Sequence, residues 1–135
     1  MFALGIHSVE KKQSVFVLRG GEIVARHAWT GDYDETEKLL VAIQAVLKQA
    51  ACGFNDLKKI FVVSGPGGFS STRIGVTVAN TLAFALRIPV YGVPLTEGHA
   101  AENMIKKQSA RSVQPRNRFV KPIYNTPPSI TMKPQ

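Results

Sequence analysis

Apolar and polar positions along the chain follow first a period of two and then a period near 3.6. FALGIH, SVFVLRG and EIVARHAW are short apolar or alternating runs, with Gly20 and Gly21 as a tight-turn signal between the second and third, so the first thirty residues predict an antiparallel three-stranded meander. Gly31 and Asp32 break the pattern, and Asp34 with Glu37 forms an acidic variant of a capping box. The helix that follows carries Leu39, Leu40, Ile43, Val46, Leu47 and Ala50 at i, i+3, i+4 spacing, with Glu37, Lys38, Gln44 and Lys48 opposite and Gly53 as its expected end. KKIFVVSG then reads as a buried strand, a long apolar segment leads to the short strand PVYGV, and a last helix is expected from Thr96 to about Lys107. The order βββαβαβα predicts an α/β fold: a mixed sheet with covering helices.

The segment VVSGPGGFSSTRIGVTVANTLAFAL, residues 62–86, carries most of the information. Wound at about 100° per residue, its helical part places Ile74, Ala85, Val78, Leu82, Gly75, Leu86, Ala79, Ala83 and Val76 on one arc of roughly 200°. Arg73, Asn80 and Arg87 share a narrow polar sector. A helix lying on a sheet needs an apolar stripe of only about 100°, so a second covering surface is expected. Gly75, Ala79 and Ala83 recur every four residues and predict a shallow groove for another helix, supplied either by a partner protein or by this chain's own first helix.

Charge changes the picture at the C-terminus. The 135-residue chain has a formal charge of +8, yet Lys106, Lys107, Arg111, Arg116, Arg118, Lys121 and Lys133 all lie in its last thirty residues, where no acid occurs and five of the eight prolines sit. That composition divides the chain into a near-neutral globule, residues 1–108, and a basic, proline-rich tail, residues 109–135, expected to be extended. The N-terminus lacks a basic leader region and no apolar window approaches the roughly 18 residues of a membrane span, so a cytoplasmic protein is expected.

Candidate chemistry is sparse. A nucleotide P-loop requires a Lys that does not follow Gly65–Gly68, and the dinucleotide pattern fails at Ser70 and loses a backbone N–H at Pro66. His7, His27 and His99 have no metal-ligand spacing, Ser64 lacks a nucleophile-elbow context, and Cys52 is expected to be inert packing. Asp32, Asp34, Glu35 and Glu37 cluster at one helix start, where the helix dipole accounts for them. Arg73 could meet an anion, a salt-bridge partner or another protein. These residues argue against an autonomous enzyme and predict neither metal nor cofactor.

GPGGFSSTRIG resembles the GPGSFTGLRIG signature of the TsaB (YeaZ) family of tRNA threonylcarbamoyladenosine biosynthesis, matching it at Gly65, Pro66, Gly67, Phe69, Arg73, Ile74 and Gly75. The likeness extends over residues 1 to about 105, the family's first lobe. Gly68, Ser70, Ser71 and Thr72 depart from the signature, and Ile6 stands where the family's first strand usually ends in an acid. Pro122, Ile123 and Tyr124 resemble a segment near the family's C-terminus, so a shortened member is expected. The resemblance implies a single actin-like, RNase H-like (ASKHA-type) lobe acting as a non-catalytic partner of a TsaD-like threonylcarbamoyltransferase, with a TsaE-like ATPase as a further associate. By carry-over the interface would comprise Phe69, Arg73, Ile74, Gly75, Val78, Ala79, Leu82 and Ala83 with Leu40, Ile43 and Leu47, a surface that could also make a homodimer. Lys106, Lys107, Arg111, Arg116, Arg118 and Lys121 would contact the partner or tRNA phosphates. The competing readings are a tail-driven tRNA-binding module acting alone and a small ATPase or peptidase.

Overall fold

The three alternating runs form β1 (Phe2–His7), β2 (Lys12–Arg19) and β3 (Glu22–Thr30), paired antiparallel in sequence. The β2–β3 turn needs two left-handed residues, and Gly20 and Gly21 supply them with φ of +62° and +85°. After α1 (Glu35–Gln49) and a 3₁₀ turn (Phe54–Asp56), β4 (Leu57–Gly65) returns parallel to β1; after α2 (Phe69–Leu86), β5 (Val90–Pro94) lies parallel to β4. The sheet order is β3-β2-β1-β4-β5, and α3 (Ala101–Ser109) follows. This computed structural model describes residues 1–9, 11–30, 35–67, 69–95, 100–109 and 119–123, with side chains throughout except at 35, 36 and 69–71. Asp34, and Thr96 through His99, fall outside the described residues, and with them the expected cap of α1 and start of α3.

Helices cover both faces. Leu4, Ile6, Ile60 and Val62 pack in one apolar cluster with Leu39, Ile43, Val46 and Leu47 of α1 and Val76, Ala79 and Ala83 of α2. Ala3, Phe61 and Val63 point the other way, into a second cluster with Ala101 and Ile105 of α3. Burial on both faces is why KKIFVVSG reads as a continuous apolar run. Among the described residues no helix is long and apolar enough to cross a membrane.

Both long helices end in the same way, without glycine. Ala51 (φ +52°) follows α1, and the N–H of Cys52 reaches the carbonyl of Leu47 at 2.9 Å. Arg87 (φ +58°) follows α2, and the N–H of Ile88 reaches Ala83 at 3.0 Å. These are Schellman closures with the left-handed position held by a residue that has a Cβ. The expected stop at Gly53 is therefore corrected: Gly53 caps the following 3₁₀ turn with an extended backbone.

Two features show how parts of the basic C-terminal stretch meet the rest of the lobe. Lys106 and Lys107 belong to α3, which is tied to β3 by a bidentate Arg26–Glu102 pair at 2.5 and 2.6 Å and by Lys106–Glu22 at 3.4 Å. Residues 119–123 lie on the globule as a strap. The side chain of Asn80 on α2 donates to the carbonyl of Val120 and accepts from its N–H, both at 2.9 Å, and the N–H of Ile123 donates to Ser64 at 2.6 Å. Val120 fills the space above Gly92, where an added Cβ would stand 2.8 Å from its Cγ1.

Candidate functional site

The carboxyl ends of the parallel strands β1 and β4 meet beside the N-terminus of α2, the place where open α/β sheets hold ligands. Here α2 and its preceding turn sit close on the end of β1. Ile6 is fully buried in the core, Ser8 lies under Gly75 and Val9 under Gly67, and a Cβ on either glycine would collide with those side chains. Among the described residues, the buried polar groups at this end, His7, Ser8, Ser64 and Thr72, are hydroxyls and an imidazole. Among the described residues no three His, Cys, Asp or Glu side chains converge. Glycine at 67 and 75 thus lets the turn and α2 close down on the end of β1.

The residues expected to form a helical interface are split by burial. Gly75, Val78, Ala79, Ala83, Ile43 and Leu47 are buried, while Ile74 and Leu82 are partly buried against the same cluster. The small-residue stripe is accordingly not an open groove, since Ser8, Ile6 and the α1 cluster cover it, while the edge of the arc stays accessible, with Ile74, Leu82 and Leu86 half-buried and Ala85 exposed. Of the α1 trio only Leu40 reaches solvent, at 45% exposure. Arg73 is exposed, and the side chain of Phe69 lies outside the described residues.

Outward-facing apolar surface comes instead from residues the periodicity did not select. Val41 is 58% exposed and Phe84 63% exposed. Both fall off their helices' apolar arcs, and a large apolar residue off the arc was the available signal. Val41 borders a groove of about 380 Å³ between β3 and α1, lined also by His27, Trp29, Thr30, Glu37 and Lys38. Trp29 Nε1 and Gln13 Oε1 are buried without hydrogen-bond partners, on residues that face each other across β2 and β3. Phe84 borders a second groove of about 580 Å³ with Ala83, Ala85, Arg87, Ile88 and Phe119.

Of the expected tail cations, Lys106 is engaged with Glu22, Lys107 and Lys121 are exposed, and Arg111, Arg116 and Arg118 lie outside the described residues. Cys52 is buried, and burial together with the nearby Asp56 carboxylate pushes its thiol pKa up, so the nucleophilic thiolate is disfavoured. His27 rests against Trp29 with ring centroids 5.9 Å apart, and His99 lies outside the described residues.

Residues 33–115 match the family model described as TsaD, tRNA N6-adenosine threonylcarbamoyltransferase. The TsaB protein of Bacillus subtilis, named for tRNA threonylcarbamoyladenosine biosynthesis, is 32% identical over 101 residues, 75% of this chain and 44% of that relative. The tRNA N6-adenosine threonylcarbamoyltransferase of Clostridioides difficile is 36% identical over 75 residues, 56% of this chain and 22% of the enzyme. Among solved structures, YeaZ from Pseudomonas aeruginosa superposes with a TM-score of 0.63 at 28% identity, covering 69% of this chain and 42% of its own. The mixed five-stranded sheet is thus the actin-like, RNase H-like lobe of these proteins. The chain spans less than half the length of each of these relatives.

Proposed function

The chain belongs to the TsaD family as a TsaB (YeaZ)-type member, and from that premise we propose that it acts in tRNA threonylcarbamoyladenosine formation as a non-catalytic partner that binds and activates a TsaD-like threonylcarbamoyltransferase. The observation that carries this reading is the close seat of α2 on the end of β1. Ile6 lies in the core and Ser8 and Val9 pack beneath Gly75 and Gly67, so that the described residues at this sheet end support α2. A TsaE-like ATPase is a further associate under this reading, and the 1–108 lobe is the part that meets the enzyme.

The contact surface under this proposal is the outer face of α1. Leu40 lies about 20° around the helix from Leu47, at the rim of the buried stripe, and Val41 stands about 100° further out. Both are exposed apolar residues on one helix, the kind of surface that a partner covers. The sealed stripe supports that surface from below: Ile43 and Leu47 fix α1, while Ala79 and Ala83 let α2 approach it.

The test is gel filtration with the cognate TsaD-like protein. The two should co-elute, and Leu40→Asp with Val41→Asp should separate them while leaving the lobe folded by circular dichroism. Separate elution of the unaltered proteins would overturn the reading. Elution of this chain alone as a dimer, lost in the same variant, would assign the surface to self-association instead.

A further inference from the structure

We propose that the groove at the carboxyl end of α2 binds unpaired nucleotides of an RNA, with Phe84 and Phe119 as stacking surfaces and Arg87 and Lys121 as phosphate contacts. The groove joins two parts of the chain that are distant in sequence, the last turn of α2 and the strap, and its volume of about 580 Å³ lies within the range of small-ligand sites. Its two aromatic rings are 63% and 47% exposed, an unusual allotment for phenylalanine. Single-stranded nucleic-acid sites combine these elements: aromatic faces that accept any base, beside cations that follow the backbone.

Three further observations favour this occupant. Among the described residues, those lining the groove include a guanidinium and no carboxylate. Val120 is turned inward by its two bonds to Asn80, so Phe119 and Lys121 on either side face outward. The strap also sits within a stretch from residue 106 onward that holds seven cations and no acid, and Arg116 and Arg118 immediately precede Phe119. The choice of RNA over DNA rests on the tRNA reading above; the groove does not depend on it.

The experiment is fluorescence anisotropy with a labelled single-stranded RNA of about 12 nucleotides, at two salt concentrations, using the full chain. Phe84→Ala and Phe119→Ala should each weaken binding about tenfold, and Phe84→Trp should restore it. Arg87→Gly should weaken binding and lower the salt slope by about one contact. Ala51→Gly makes the same backbone change at the end of α1, and Phe54→Ala removes an exposed ring elsewhere; both should leave binding unchanged. Affinity equal for duplex RNA and insensitive to Phe84 overturns the proposal in favour of charge alone. Loss of TsaD-like co-elution in Phe84→Ala with RNA affinity intact overturns it in favour of a protein contact. RNA binding that follows these variants when the TsaD-like protein does not co-elute would uphold this site while the partner reading fails.

Discussion

Ala79 has no accessible surface, and the side chains around it belong to this chain's own core. Ala79→Leu adds three carbons where no space exists, and should lower stability by about 1–3 kcal/mol through overpacking. Urea denaturation reads this directly, and a midpoint equal to that of the unaltered chain would mean that the α1–α2 contact is looser than described. Arg87 and Ala51 give the opposite sign. A left-handed residue with a Cβ carries about 1–2 kcal/mol of strain, offset by about 0.4–1 kcal/mol of added unfolded-chain freedom when glycine replaces it. Arg87→Gly and Ala51→Gly should therefore each raise the thermal midpoint by the equivalent of about 0.5–1 kcal/mol. These closures were hidden in the sequence because glycine is the usual signal for a helix end, and the nearest one, Gly53, serves the next turn instead.

At the scale of elements, the strap gives α2 a role beyond covering the sheet. Asn80 holds Val120 through both its amide groups, and Val120 in turn occupies the space above Gly92. Asn80→Ala leaves a part-buried backbone N–H and C=O without those partners, at a cost of about 1–3 kcal/mol. Hydrogen exchange should show it: the N–H of Val120 loses protection, whereas amides in the middle of β1 and β4 keep theirs. Equal protection in both proteins would mean that the strap is held by something other than Asn80. The strands and the two long helices were legible from the chain because period-two and period-3.6 patterns report burial on one or two faces. The strap was not, since a basic, proline-rich composition reads as extended and nothing local marks a segment fixed by two bonds to a residue forty positions earlier. The polar sector of α2 was legible as polar, but its purpose at Asn80 required the fold. The groove beside it was hidden for the same reason, since Phe84 and Phe119 meet only through the strap.

For the whole molecule, the way α2 is seated on the end of the sheet matters more than any single motif. The signature turn identifies the family, yet the side chains beneath it, Ile6, Ser8 and Val9, decide how closely α2 sits on the sheet, and only the strand register brings those residues under the glycines. The same closed packing sets how stability responds to alkali. Burial raises the pKa of Cys52, with the Asp56 carboxylate adding to it, and burial raises that of Tyr91. Below the unfolded thiol pKa of about 8.5 both states keep these protons, so neither group makes stability depend on pH. Above it the unfolded chain releases its thiol proton first, and the tyrosine proton from about pH 10, while the folded chain retains both. With fewer protons bound in the unfolded state, stability falls as pH rises. The urea midpoint should decline from about pH 8.5 upward, and Cys52→Ala should flatten the first part of the decline while leaving the part due to Tyr91. Identical slopes in the two proteins between about pH 8.5 and 10 would show that Cys52 is less enclosed than its place between α1 and the 3₁₀ turn implies.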